Sequence, residues 1–107
     1  MPFYTFFLEF AGGTYISQVE AASPKLACVL WAKELNPEPI KGLGQNSKSV
    51  LIEEIEADEP VAVRNTSNVW CVSALVRGKL ALVTLVQTEN GKVETETNKT
   101  KGKNPQS

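Results

Sequence analysis

Along the first twenty positions apolar residues recur at a period of two. Tyr4, Phe6, Leu8 and Phe10 are separated by Thr5, Phe7 and Glu9, and a similar run resumes at Thr14 after Gly12-Gly13. Such a period sends successive side chains to opposite faces of an extended strand. A glycine pair between two such runs tolerates the positive φ angles of a tight turn. The pattern predicts a β-hairpin, Phe3 to Phe10 and Thr14 to Ala21, with Gly12-Gly13 as its loop. Phe10 then pairs with Tyr15, Leu8 with Ser17 and Phe6 with Val19. Tyr4, Phe6, Leu8, Phe10, Tyr15 and Val19 share one face. Thr5, Glu9, Thr14, Gln18 and Glu20 share the other with Phe7 and Ile16. 

The period changes at Ser23-Pro24. Serine is a favoured N-cap, and proline suits the first helical position because its missing N–H needs no partner there. A helix is predicted from this point to about Leu35, stopping before Asn36-Pro37, since a residue preceding proline is pushed out of the α region. Ala27, Trp31 and Leu35 form its apolar stripe with Leu30 alongside, and Lys25 and Lys33 lie opposite. Trp31 is expected to pack on the aromatic face of the hairpin. Pro37 to Asn46 is a loop rich in Pro and Gly. Leu51 and Ile55, four apart, with Ser47 available as a cap, predict a short helix over Ser47 to Ala57; Val50-Leu51-Ile52 leaves a strand as the alternative. Glu59-Pro60 ends that segment, and Val61 to Arg64 is at most a short edge strand.

A second hairpin, Val69 to Val76 and Lys79 to Thr88, is joined by Arg77-Gly78 and is rich in Val, Leu and Thr. Two-residue-loop pairing sets Val76 against Lys79, Val72 against Val83 and Trp70 against Leu85. On the reverse side Leu75 meets Leu80 and Val69 meets Val86. Both faces are largely apolar, whereas an antiparallel sheet in a small domain usually keeps one face polar. The elements add up to an α+β domain over residues 1–88. It is an antiparallel sheet of two hairpins with one main helix packed on one face, in the order β-β-α-(α)-(β)-β-β. From Glu89 onward only Val93 is apolar, so 89–107 is expected to be a disordered polar tail that cannot offset its ordering entropy.

Composition narrows the chemistry. The chain has 107 residues, 42% apolar and 21% charged, which supports one modest core. Its net charge of −1 gives no general attraction to nucleic acid or anionic membranes. The apolar stretch from Val69 to Val86 is broken by Arg77-Gly78-Lys79 and reads as strand, not as a membrane span. Met1-Pro2-Phe3-Tyr4 lacks the basic start of a signal peptide, so a cytoplasmic location is expected. Cys28 and Cys71 stand among apolar residues and read as buried free thiols. The absence of histidine removes Ser-His and Cys-His nucleophile pairs and every His-containing metal site. No catalytic residue, metal ligand or cofactor site is assigned.

Two sets of candidate residues remain. The reverse face of the second hairpin, Val69, Cys71, Leu75, Leu80, Leu82 and Val86, is either a protein interface or is covered by the second helix and the 37–46 loop. If it is an interface, a second copy is the first partner expected, since two-fold pairs are the commonest closed assembly. Tyr4, Tyr15, Asn68 and Trp70 are a candidate small-ligand pocket between the sheet and the 37–46 loop, with Glu9 or Glu20 as a carboxylate for catalysis. Glu53, Glu54, Glu56, Asp58 and Glu59 cluster, without the spacing of a calcium loop, and read as a solvated helix end. Lys99, Lys101 and Lys103 are partly balanced by Glu94 and Glu96, so nucleic-acid binding is not expected as a main function.

The Gly-Gly hairpin Tyr4–Val19, the helix with Ala27 and Trp31-Ala32, and the later strand Asn68-Val69-Trp70-Cys71 resemble a family of small uncharacterised bacterial α+β proteins. That resemblance spans most of residues 3–88 and implies no activity. Residues 3–35 are also similar to the strand–strand–helix opening of HicB-like antitoxins, although no DNA-binding segment follows. The likeness implies a fold-level analogy to an antitoxin or inhibitor. Together these readings describe a non-catalytic, cytoplasmic, homodimeric interaction module, with a ligand-binding protein or carboxylate enzyme as the alternative.

Overall fold

Both hairpins turn on the same two-residue geometry. Ala11 and Gly12 have φ of 50° and 84°, and Arg77 and Gly78 have 51° and 84°, the paired positive angles that match the twist of the flanking strands. The computed structural model describes residues 1–88, and the expected polar tail, 89–107, lies outside the described residues. In the second hairpin every predicted pair is present, from Val76 with Lys79 to Val69 with Val86.

The first hairpin differs from expectation by two residues. Its loop is Ala11-Gly12, so Phe10 pairs with Gly13, Leu8 with Tyr15, Phe6 with Ser17 and Tyr4 with Val19. A shift of two leaves each side chain on its expected face, which is why the apolar pattern could not separate the two registers. Gly13 serves a different purpose from turning. A Cβ there would stand 2.5 Å from the Tyr15 hydroxyl oxygen, so the residue is small to let that side chain lie along the strand. Ala11 and Arg77, both L-residues, occupy the left-handed region at some cost. Ala11→Asn and Arg77→Asn should each raise stability by about 0.5–1 kcal/mol, read as a higher urea midpoint, because asparagine tolerates that conformation better.

Strands β1 (Phe3–Phe10), β2 (Gly13–Glu20), β3 (Val61–Ala62), β4 (Val69–Val76) and β5 (Lys79–Thr88) form one antiparallel sheet in the order β2-β1-β5-β4-β3. The last strand therefore sits in the middle, joining the hairpins through β1, with Phe3 opposite Thr88 and Leu8 opposite Val83. Helix α1 (Pro24–Glu34) starts as expected. The Ser23 hydroxyl oxygen accepts the Leu26 N–H at 3.2 Å, Pro24 opens the first turn, and Leu35 leaves the helix in extended conformation. Segment 45–57 is the helix and not the strand, as α2 (Gln45–Ala57). Its N-cap is Gly44; Ser47 does not cap but lies buried inside the helix.

Both helices pack on the same side of the sheet. Tyr4, Phe6, Leu8, Phe10, Val72, Ala74, Val76, Ala81, Val83 and Leu85 face them, with Trp31, Cys28, Leu51 and Ile55 from the helices. The buried strip of α1 is Ala27, Cys28, Trp31 and Ala32, with Leu35 only half-buried at its end. Trp31 stacks on Phe6 at 5.1 Å with planes 4° apart, and its indole N–H donates to the Ser17 hydroxyl at 3.1 Å. Lys25 does not point to open water. Its ammonium group donates to the backbone carbonyls of Ile55 and Glu56, both at 3.0 Å, and of Asp58, at the end of α2. Among the described residues no helix is long and apolar enough to cross a membrane.

Candidate functional site: the open face of the sheet

Because α2 joins α1 on one side, nothing among the described residues covers the other side of the sheet. The alternative in which the second helix and the 37–46 loop shield it does not occur. In an antiparallel sheet, residues paired across strands share a face, so this surface can be read in rows. One row runs Ile16, Phe7, Thr84, Cys71, Val61 across all five strands. The next runs Gln18, Thr5, Val86, Val69, and on the other side run Thr14, Glu9, Leu82, Ser73. Leu80 and Leu75 form a last pair.

All six predicted interface residues lie on this one face. Cys71, Leu75, Leu80 and Leu82 are exposed and Val69 and Val86 half-buried. The exposure of Cys71 corrects the expectation of a buried thiol, since its partner Thr84 marks it as facing away from the helices. Cys28, by contrast, is buried, and burial pushes its thiol up to about 12. Both thiols are free.

The face extends beyond the second hairpin. Ile16 and Val61, each 63% exposed, and half-buried Phe7 enlarge it. Phe7 and Ile16 were legible as a pair of apolar residues on the polar side of the first hairpin. What no local pattern contains is the long-range pairing of β1 with β5, which brings that pair against Thr84 and Leu82. Glu9, opposite Leu82, and Glu20, at the other end of the first hairpin, place charge on the same face, and the Gln18 amide donates to the Thr5 hydroxyl at 2.9 Å between them. Cys71, Ser73, Leu82 and Thr84 floor a hollow over β4 and β5 that the carboxylates of Glu9, Asp58 and Glu59 border.

Of the four predicted pocket residues, Tyr4 and Trp70 pack together and Tyr15 stands apart. Tyr4 is buried in the core, edge-on to Trp70 with ring centroids 6.0 Å apart, and burial, then the nearby Cys28, raise its pKa. Tyr15 pairs with Leu8 four residues along the strand, roughly 13 Å away at ~3.3 Å per residue. Its hydroxyl accepts the Lys41 N–H at 3.4 Å. Asn68 adopts φ of 64° in the turn before β4, and its carbonyl accepts the Gln87 N–H at 2.9 Å. It shapes the strand entry. Glu9 and Glu20 lie on the opposite side of the sheet from both tyrosines. A concavity of about 540 Å³ beside the loop is lined by Asn36, Glu38, Ile40, Leu43 and their neighbours, and by none of the four.

The acidic run is split by its partners. Glu56 approaches Lys33 at 3.5 Å and Glu59 approaches Lys25 at 3.9 Å, tying α1 to α2. Among the described residues no group of three metal-ligating side chains converges. No family model, curated protein or solved structure matches this chain.

Proposed function

We propose that this chain is a non-catalytic, cytoplasmic protein-interaction module that works as a homodimer through the open face of its sheet. The observation that carries the reading is the continuity of Ile16, Phe7, Val86, Leu82, Leu80 and Leu75 over four strands on the side without helices. Four strands ~4.8 Å apart and ~25 Å long, with the two-residue β3 beside them, present about 500 Å² per partner, at the small end beside the ~800 Å² per partner of a standard stable interface. A second copy fits this surface because sheets pack face to face at ~10 Å with their apolar side chains interdigitated. Neutralising another protein, as the likeness of residues 3–35 to HicB-like antitoxins implies, would fall to the surface that the pair leaves free.

Light scattering on a size-exclusion column, over a dilution series at two salt concentrations, tests this. The chain is expected above monomer mass and little affected by salt, since apolar contact drives the association. Leu75→Glu combined with Leu82→Glu, both at exposed positions, should halve the mass without unfolding the domain. A monomer at every concentration, or an unchanged mass in the double variant, would sink the reading.

A further inference from the structure

The outer edge of β2 is a second docking surface, independent of the open face. Ala21 N–H donates to the Pro2 carbonyl at 3.1 Å. In an antiparallel ladder hydrogen-bonded pairs alternate with non-bonded ones. The bonded pairs continuing from Ala21 are therefore Tyr4 with Val19, Phe6 with Ser17, Leu8 with Tyr15 and Phe10 with Gly13. That leaves Thr14, Ile16, Gln18 and Glu20 with N–H and C=O groups directed away from β1, where no described strand pairs with them. Proteins usually blunt such an edge with lysine, proline, a bulge or a covering segment. β2 has an unbroken register over eight residues and contains neither lysine nor proline.

Beside this edge α1 presents apolar surface that the core does not use. Leu26 is 56% exposed, and half-buried Val29 and Leu30 continue the patch, which borders Glu20 and Ala21 at the end of β2. A strand added to β2 meets backbone groups in the sheet layer and these side chains in the helix layer.

We propose that a second copy occupies this edge, β2 against β2 in antiparallel two-fold symmetry, with the Leu26 patch of each α1, beside Glu20, set near the Thr14 end of the partner strand. Of the symmetric registers, the one centred on Ser17 pairs Thr14 with Glu20 and Ile16 with Gln18. It engages all four outward residues of each strand and keeps the only charge of β2, Glu20, away from its own copy. Centring on Ile16 or Gln18 loses pairs at one end. A joint ~26 Å long through a sheet layer of ~10 Å buries about 260 Å² per partner, to which the Leu26 patch at each end adds, so the contact is carried by the backbone hydrogen bonds of the four outward residues. The two-fold axis runs along the sheet normal, so the doubled sheet keeps both open faces on one side. The edge thus adds to the face-to-face pair and does not compete with it.

Two variants decide the matter. Gln18→Pro removes an N–H that points off the sheet and leaves the β1 ladder intact. It should halve the assembly mass measured by light scattering, with an unchanged circular dichroism spectrum. In the Leu75→Glu, Leu82→Glu background the remaining pair should then fall to monomer. For the register, Ser17→Cys combined with Cys71→Ser should form a covalent dimer on mild oxidation, because residues opposite at the axis stand about 4.5 Å apart at Cα. Thr14→Cys in the same background should not. The edge proposal is overturned if Gln18→Pro leaves the mass unchanged, or if Ser17→Cys stays uncrosslinked. It is also overturned if Leu75→Glu with Leu82→Glu alone yields monomers, an outcome that leaves the open face standing. A wild-type monomer removes both.

Discussion

Trp31→Ala is expected to remove about 3–5 kcal/mol of stability, the range for deleting a large buried aromatic side chain. That is a large share of the ~5–15 kcal/mol a domain of this size holds in total. Three losses coincide at one position. The indole is only 2% exposed, so its whole surface leaves the core. Its parallel stack on Phe6 joins α1 to β1, and no neighbouring side chain can slide into a hole of that shape. The Ser17 hydroxyl on β2 also loses its donor. Trp31→Phe separates these contributions, since it keeps a ring against Phe6 and gives up only the indole N–H and part of the volume. It should cost about 1–2 kcal/mol. Urea unfolding followed by circular dichroism gives both values. Equal losses for the two variants would mean that the hydrogen bond, and not the stack, fastens the helix.

Lys25→Met comes second, with an expected loss of about 2 kcal/mol. A helix ends with carbonyl groups that have no partner within it and with a partial negative charge. In α2 this end also carries Glu53, Glu54, Glu56 and Asp58, which add to that field. The Lys25 ammonium group, reaching across from the first turn of α1, answers both needs through the carbonyls of Ile55, Glu56 and Asp58. Hydrogen bonds from charged donors contribute roughly 1.5–3 kcal/mol, and the lysine side chain is 29% exposed, so salt screens the contact only in part. Methionine keeps the length of the stem and removes the charge. Hydrogen exchange should show the last turn of α2 opening first in the variant. A change below about 0.5 kcal/mol would mean that water satisfies those carbonyls equally well.

These two sites also show what a linear pattern can carry. Trp31 lay on an apolar stripe and was legible as core, because helical periodicity and the aromatic face of the first hairpin point to each other. Lys25 was not. Its place on the polar side of α1 suggested solvent, and only the packing of α1 beside α2 turns that side toward a helix end. The same contrast separates the hairpins. Arg77-Gly78, with a single glycine, marks one two-residue loop, and the strands pair in the register it sets. Ala11-Gly12-Gly13 admits two registers with identical faces, and in the one adopted Tyr15 lies over Gly13. The two-sided apolar character of β4 and β5 was readable residue by residue. Which side would stay open depended on where α2 lands, a contact that no short window of sequence contains.

The central position of β5 governs how the chain reaches this structure. β1 and β4 acquire their shared neighbour only when residues 79–88 have left the ribosome, so the first hairpin and α1 wait as a half-domain while most of the polypeptide is made. Joining Phe3 to Thr88 closes nearly the full length of the described chain in one step, and contacts so distant in sequence slow folding. During that wait the strand edge of β1 that later receives β5 is bare, on the side away from β2. Production of the domain should therefore be sensitive to translation speed and to chaperone supply well before its final stability becomes limiting.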